Sequence, residues 1–321
     1  MSLTNFPFGI SSMGNPVLGG GMPMVGPQSR VIFVDASYGN DGNDGRSWET
    51  AVKTVAQAYS LVTTNRDDVI VLSTYAQHEL TAMLDVSKSR VHFIGDMNGR
   101  TYGQRARINY ADGIATADAF AIKNTGIGNT FTGIKFLNNN TDAQVVATVG
   151  EGGEYSVYRN CEFYNSTHLD SDTVSELVLN GDSAQFYNCT FGSLADSVSG
   201  DKVRPAVLMT AGTVGSGLVS RDVLFDGCKF WKNAGGTTTS FIKLVDNDLE
   251  RLMEIKNCTF MNNMLGAVPA VAINSATLTK SLIVLSGDTV ACECTKIGTA
   301  TGILNATPAR VATATIAIQV T

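Results

Sequence analysis

The chain has 321 residues, of which 44% are hydrophobic and 16% charged, with a formal net charge of −6. That balance excludes a basic stripe able to neutralise nucleic-acid phosphates, and no apolar run approaches the length of a membrane span. The length allows one large core or two modest ones, and a charge content well below the usual roughly one quarter suits stacked strands joined by polar loops.

Residues 1–29 come first. Their four prolines and the Gly19-Gly20-Gly21 run predict no regular structure. Yet Phe6, Phe8, Ile10, Met13, Val17, Leu18, Met22 and Met24 make the stretch too apolar for a solvated tail. An apolar arm that cannot build its own core has to cover itself on another surface. The choice is a partner protein or the side of its own body. The start of the chain lacks the basic segment and apolar run of a secretion signal. Cytosolic synthesis with reduced cysteines is therefore expected.

Arg30 to Asp35 reads as the entry strand, followed by a turn cluster from Gly39 to Gly45. Asp41 and Asp44 in that cluster serve either the turn or a calcium ion, which takes hard oxygen ligands. Ser47 is placed to cap a helix. Trp48 to Thr63 carries Val52, Val55, Ala56, Tyr59 and Val62 at helical spacing. Such a helix would plug the open end of a stack of strands. Asp68–Ser73 and Arg90–Gly95 are the next strands, with His92 expected to face outward. Arg100, Arg105 and Arg107 fall in a loop from Asn98 to Arg107.

A phrase then recurs: SVYRNCEF (156–163), AQFYNCTF (184–191), VLFDGCKF (223–230) and MEIKNCTF (253–260), with a cysteine-free copy NTFTGIKF (129–136). The anchors Ile134, Cys161, Cys189, Cys228 and Cys258 lie 27, 28, 39 and 30 residues apart. A period of this size marks a solenoid. Within each copy apolar residues alternate, so each half is a strand with one buried face. The parity flips at Gly133, Asn160, Asn188, Gly227 and Asn257, so the chain turns a corner there. Asn and Gly are the residues that best tolerate left-handed backbone. Third strands fit at 143–149, 175–181, 206–212 and 241–247. The expected fold is all-β: a single-stranded right-handed parallel β-helix, with an N-terminal capping helix and an extended N-terminal arm. Its parts are the arm (1–29), entry strand, turn and helix (30–66), coils (67–290) and a C-terminal β cap or oligomerisation segment (291–321). The four phrase cysteines would stack inward as small buried hydrophobes. Cys292 and Cys294 alone are weak evidence for metal, and five N-x-S/T sequences carry no glycan claim without secretion.

The run FVDASYGNDGNDGRSWETAVKTVAQA, from Phe33 to Ala58, resembles the entry motif of the pectate-lyase-like β-helix superfamily: a V-D strand, a G-N-D-x-N-D-G turn, then W-x-T-A and a capping helix. The N-C-x-F coils resemble the same superfamily, and together they span residues 31 to about 290. Separately, LTNFPFGISSMGNPVLGG in the arm resembles the N-termini of structural proteins of tailed bacteriophages. The superfold hosts lyases, hydrolases and inert structural proteins alike.

The catalytic patterns that the resemblance implies are not legible. Lyases of this fold use an acidic calcium cluster and an arginine base, and polygalacturonases use paired aspartates with Gly-His-Gly. His78, His92 and His168 sit in no such context, and the only adjacent acid pair is Asp67-Asp68. Carboxylates on neighbouring coils are the remaining candidates for glycoside chemistry: Asp170, Asp172 and Glu176 with Asp201, or Asp222 and Asp226 with Asp246 and Asp248. The sequence therefore predicts no enzyme and no cofactor. It predicts a phage virion protein, a capsid decoration or cement-like subunit. Residues 1–29 would fasten it to other virion proteins, chiefly the major capsid protein, and it would form a homotrimer. The alternative is a tailspike or receptor-binding protein that binds or degrades host polysaccharide.

Overall fold

The computed structural model describes residues 10–12, 15–17, 28–96, 106–114, 116–215, 219–245, 248–275, 278, 281–298 and 303–305. Three parallel sheets run the length of the body. The first holds ten strands: Val31–Val34, Asp68–Leu72, Val91–Gly95, Thr130–Thr132, Val157–Arg159, Gln185–Tyr187, Ser220–Asp226, Leu249–Lys256, Ser281–Ser286 and Ile303–Asn305. The second runs from Gln77–Leu80 to Val290–Cys292, and the third from Leu84–Val86 to Ile273–Ser275. From Asp68 to Ser275 each coil donates one strand to each sheet, and each of these strands pairs in parallel with the equivalent strand of the next coil. Consecutive phrases are in register: Tyr158 lies beside Phe186 and Phe163 beside Phe191.

Register turns the phrase into two columns of rings. Phe93, Phe131, Tyr158, Phe186 and Phe225 stack with centroids 5.0, 4.7, 5.0 and 4.9 Å apart and planes within 12°. Phe136, Phe163, Phe191, Phe230 and Phe260 form the second column, at 5.2, 4.7, 5.1 and 4.7 Å. The columns meet edge to face, as between Phe186 and Phe191. Such ring pairs contribute about 0.5–1.5 kcal/mol beyond the area they bury. The phrase cysteines are fully buried free thiols. Each thiol donates to the carbonyl of the aromatic residue one coil back: Cys161 to Phe131, Cys189 to Tyr158, Cys228 to Phe186 and Cys258 to Phe225. A small polarizable side chain with a weak donor fits that place.

The corners are left-handed as expected. Gly133, Asn160, Asn188, Gly227 and Asn257 have φ of 69°, 52°, 51°, 67° and 52°. A second column of left-handed residues lies before or just inside the starts of first-sheet strands, at Asp67, Arg90, Gly128, Tyr155, Ser183, Asp222 and Arg251. Only one of these seven is glycine, so residue type does not reveal this corner.

Several expectations are corrected. The helix α1 spans Val55–Leu61 and is capped by Thr54, whose side chain accepts from the Gln57 amide. It does not start at Trp48, because Val52 is pulled into a parallel bridge with Val34. Ser47 instead closes a turn with Thr50. The arm was expected to lack regular structure, but Ile10–Ser12 and Asn15–Val17 pair antiparallel, with Pro16 opposite Ser11. Proline is tolerated in such an edge pair. The third strand near residue 143 starts at Ala147, since Asp142 ties Gln144 and Val145 into a turn. His92 lies on the outer side by alternation but is 5% exposed, held by Thr130 and Asp67.

Candidate functional site

Below α1 the end of the aromatic column is sealed. Tyr59 stacks on Phe93 at 6.3 Å. The Lys88 ammonium donates to the carbonyls of Tyr59, Ser60 and Val62, closing the C-terminus of the helix. Asp68 is buried and accepts from the amides of Arg30 and Thr63 and from the Arg66 guanidinium. Burial works against its charge, but Arg66 and the two amides outweigh burial and hold the carboxyl below its ordinary value. Asp41 accepts from the Lys53 and Thr54 amides and the Thr54 hydroxyl, and Asp44 from the Arg46 amide. These aspartates therefore brace the entry turn. Among the described residues, no cluster of three or more His, Cys, Asp or Glu forms a metal cage.

A second polar group is sealed inside the barrel. Glu151 is fully buried and accepts from Asn124, Gly153, Ser156 and the Tyr158 hydroxyl. Burial raises its pKa above the ordinary value, against the pull of those donors. It lies where the third sheet turns into the first, beside glycines that admit no side chain: a Cβ on Gly153 would sit 2.3 Å from the Gly126 carbonyl. This network closes a corner and reaches no solvent.

The arrangement with chemical potential is at the second-to-third sheet corner. Asn138 and Asn165 form an inward polar ladder there, continued two coils on by Lys232 beside Asn262. Between them the ladder breaks. The strand Thr190–Ser197 keeps register as far as Gly192 opposite Trp231, then resumes with Ser197 opposite Asn233. Residues 193–196 swing out. Lys232 reaches into the space beneath and donates to both oxygens of Glu176, at 3.2 and 2.9 Å. Arg204 donates to the same carboxylate at 3.1 Å and to the carbonyls of Asn165, Thr167 and His168. Glu176, Arg204 and Lys232 are 1%, 3% and 2% exposed. Burial lowers the Lys232 ammonium, Glu176 raises it and Arg204 lowers it, and together they leave it at about 8. Tyr164, Asn165, Ser193 and Asp196 complete the lining.

Of the carboxylates singled out in the sequence, Glu176 alone sits in this group. Asp172 is occupied by Lys202 and the Val203 amide, and Asp201 by Thr238. Asp222 pairs with Arg251, and Asp226 with Asn257 and Lys256. Asp170 is exposed, Asp248 precedes the strand Leu249–Lys256, and Asp246 lies outside the described residues. Of the arm residues, Ile10 and Val17 are paired strand positions, while Phe6, Phe8, Met13, Leu18, Met22 and Met24 lie outside the described residues. So do Arg100 and Arg105; Arg107 is exposed on the strand Ala106–Tyr110. Arg204 and Lys232 were not legible as site residues. They approach Glu176 from 28 and 56 residues away, across coils.

No protein-family model matches the chain, and no curated protein does. Among solved structures, a pectate lyase is similar at 14% identity and TM-score 0.53, covering 86% of this chain and 78% of that one. A rhamnogalacturonan lyase is similar at 13% identity and TM-score 0.54, covering 86% and 73%. The pectin methylesterase PemA of Erwinia chrysanthemi is similar at 13% identity and TM-score 0.51, covering 89% and 91%. The chain thus has the pectate-lyase-like right-handed parallel β-helix fold. At these identities the likeness is one of fold.

Proposed function

We propose that the chain is a non-catalytic structural protein of a tailed-phage particle. Its β-helix would be a rigid capsid decoration or cement-like body, and its apolar arm the attachment to the major capsid protein. The observation that carries this reading is the continuous double column of buried rings, which makes the body a stiff rod. The engagement of Glu176, Asp172, Asp201, Asp222 and Asp226 by cations, amides or side chains supports it further. The composition of residues 1–29 supplies the anchor, since apolar surface brought onto a partner contributes about 25 cal/mol per Å². The homotrimer belongs to this proposal as the way three such rods would share one capsid site.

The test removes Met1 to Gln28. The truncated chain is expected to fold, because Ser29 and Arg30 already hold the entry strand through Arg66 and Asp68. It is expected to be missing from purified particles. Incorporation equal to that of the full chain would overturn the anchoring role. Release of reducing sugar from host polysaccharide by the intact chain would overturn the non-catalytic reading.

A further inference from the structure

We infer that the outer face of the first sheet, over its first three strands, is the docking surface for the chain's own arm, residues 1–27. The face is read from register. Phe93 and Phe131 stack inside the barrel, so Val31 and Phe33, Val69 and Val71, and His92 and Ile94 point outward. Val69, Val71 and Ile94 form a hydrophobic cluster separate from the main core, and are 0%, 9% and 3% exposed. A sheet face as apolar and as shielded as this one has a second layer over it.

The described residues supply little of that layer. The apolar side chains packed on the cluster are Val31 and Phe33 of the same sheet, and the Trp48 ring lies on Phe33 at 4.8 Å. On the next coils the outward positions turn polar and open: Thr130 and Thr132 are half-buried and Arg159 is exposed. The covered area is thus confined to the coils nearest the root of the arm.

Three observations name the arm as the cover. The first is its root. The Ser29 hydroxyl donates to the Arg66 carbonyl and the Arg30 amide to Asp68, so the arm leaves the body at Val31–Val34, the edge strand of this face. The second is reach. Three strands are about 10 Å across, while residues 18–27, at about 3.3 Å each, span about 33 Å. The third is the pairing of Ile10–Ser12 with Asn15–Val17. A lone hairpin this short is not stable in water, so it calls for a supporting surface. The run 97–105, which follows Val91–Gly95 and lies outside the described residues, is the weaker occupant. It carries Arg100 and Arg105, and its large apolar residues are Met97 and Tyr102 alone. Docked, the arm keeps its apolar residues out of water while the subunit is free. To anchor the body on a particle, as proposed above, it must leave this face, but the docking does not depend on that role.

The free chain tests this through its methionines. Peroxide passes one oxygen to an accessible methionine sulfur and leaves as water. Met264, 76% exposed, sets the free rate, and Met209 and Met253, both 0%, set the protected one. In the intact chain Met22 and Met24 are expected to oxidise about tenfold more slowly than Met264, the factor for an arm undocked about one tenth of the time. That protection should not change on dilution. Val71→Lys puts a charge on the face and is expected to bring both residues to the Met264 rate while the melt stays cooperative. A second measurement leaves the face native. In a Trp231→Phe background Trp48 is the single tryptophan. Removing Met1 to Gln28 is expected to shift its emission to the red, and a peptide of residues 1–27 to reverse the shift saturably.

Oxidation of Met22 and Met24 at the Met264 rate in the intact chain, or Trp48 emission indifferent to the truncation, would overturn the docking. Protection that persists in a cooperatively melting Val71→Lys protein would place the arm elsewhere and overturn this face. Protection lost on dilution would assign it to the arm of another copy and overturn docking within the chain. Absence of the truncated chain from particles bears on the anchoring role alone.

Discussion

At the scale of single residues, backbone handedness and buried charge set what each position tolerates. Gly227 shows the first. A Cβ there would lie 2.4 Å from the Asn188 side-chain oxygen of the preceding corner, on a backbone with φ of 67°. Left-handed backbone costs a non-glycine residue about 1–2 kcal/mol, so Gly227→Ala is expected to lose at least about 2 kcal/mol in urea unfolding. Ser183 is the converse. It is left-handed with a Cβ, so Ser183→Gly is expected to be neutral or to gain up to about 1 kcal/mol. The Asn/Gly corner was legible because those residues are chosen for that conformation. The opposite corner was not, because Tyr155, Ser183 and Arg251 are forced left-handed by the coil.

Lys232 shows the second. Its folded pKa of about 8 lies below the ordinary 10.5, so the unfolded chain binds the proton more tightly. Stability is therefore lowered below pH 8 and recovers as pH rises from about 8 to about 10.5. The Lys232→Met protein should unfold at higher urea than the parent at pH 7. That advantage should shrink across this window. A gap that stays constant with pH would show that charge burial is not the cause. Nothing in the sequence around Lys232 announces this, since the missing rung that draws the lysine inward belongs to the previous coil.

At the scale of the element, α1 is the informative case. Helical spacing named the right stretch and Val55 is buried as that spacing implied, but the second buried residue is Ala58, while Ala56, which the spacing placed on the buried face, is exposed. The boundary was misplaced because spacing cannot register the competing bridge between Val52 and Val34. Seven residues are too few to be stable as an isolated helix. The element therefore depends on its ends: Thr54, braced by Asp41, at one and Lys88 at the other. Thr54→Ala is expected to cost about 1 kcal/mol. Lys88→Met should cost a similar amount, because three carbonyls lose a charged donor. Hydrogen exchange should localise both losses to α1 and the Lys88 turn. Uniform loss across the coils would mean that the cap and the body unfold as one unit.

At the scale of the whole molecule, the repeat makes stability nearly one-dimensional, since each coil touches mainly its two neighbours. A coil should then be removable if the cut respects register, corner and charge. Excising residues 228–257 joins Gly227 to Cys258 and regenerates the phrase as VLFDGCTF. Phe260 takes the place of Phe230 in the ring column, beside Phe191. Ile273 takes the place of Ile242 next to Val207. The cut also removes Lys232 and leaves Glu176 with Arg204, a balanced pair. The shortened chain is expected to keep a β-rich circular dichroism spectrum and a cooperative transition. Its urea m-value should fall by about one tenth, in proportion to the surface removed. The equivalent cut of residues 161–188 takes away Glu176 instead. It leaves Arg204 and Lys232 without the buried carboxylate that pairs them, the half-buried Asp196 being the carboxylate of the lining that remains, and loss of a buried partner costs about 3–5 kcal/mol. This second excision should therefore melt well below the first, although the two remove segments of similar size. Equal melting temperatures would mean that the ion cluster is energetically separate from the coils that enclose it.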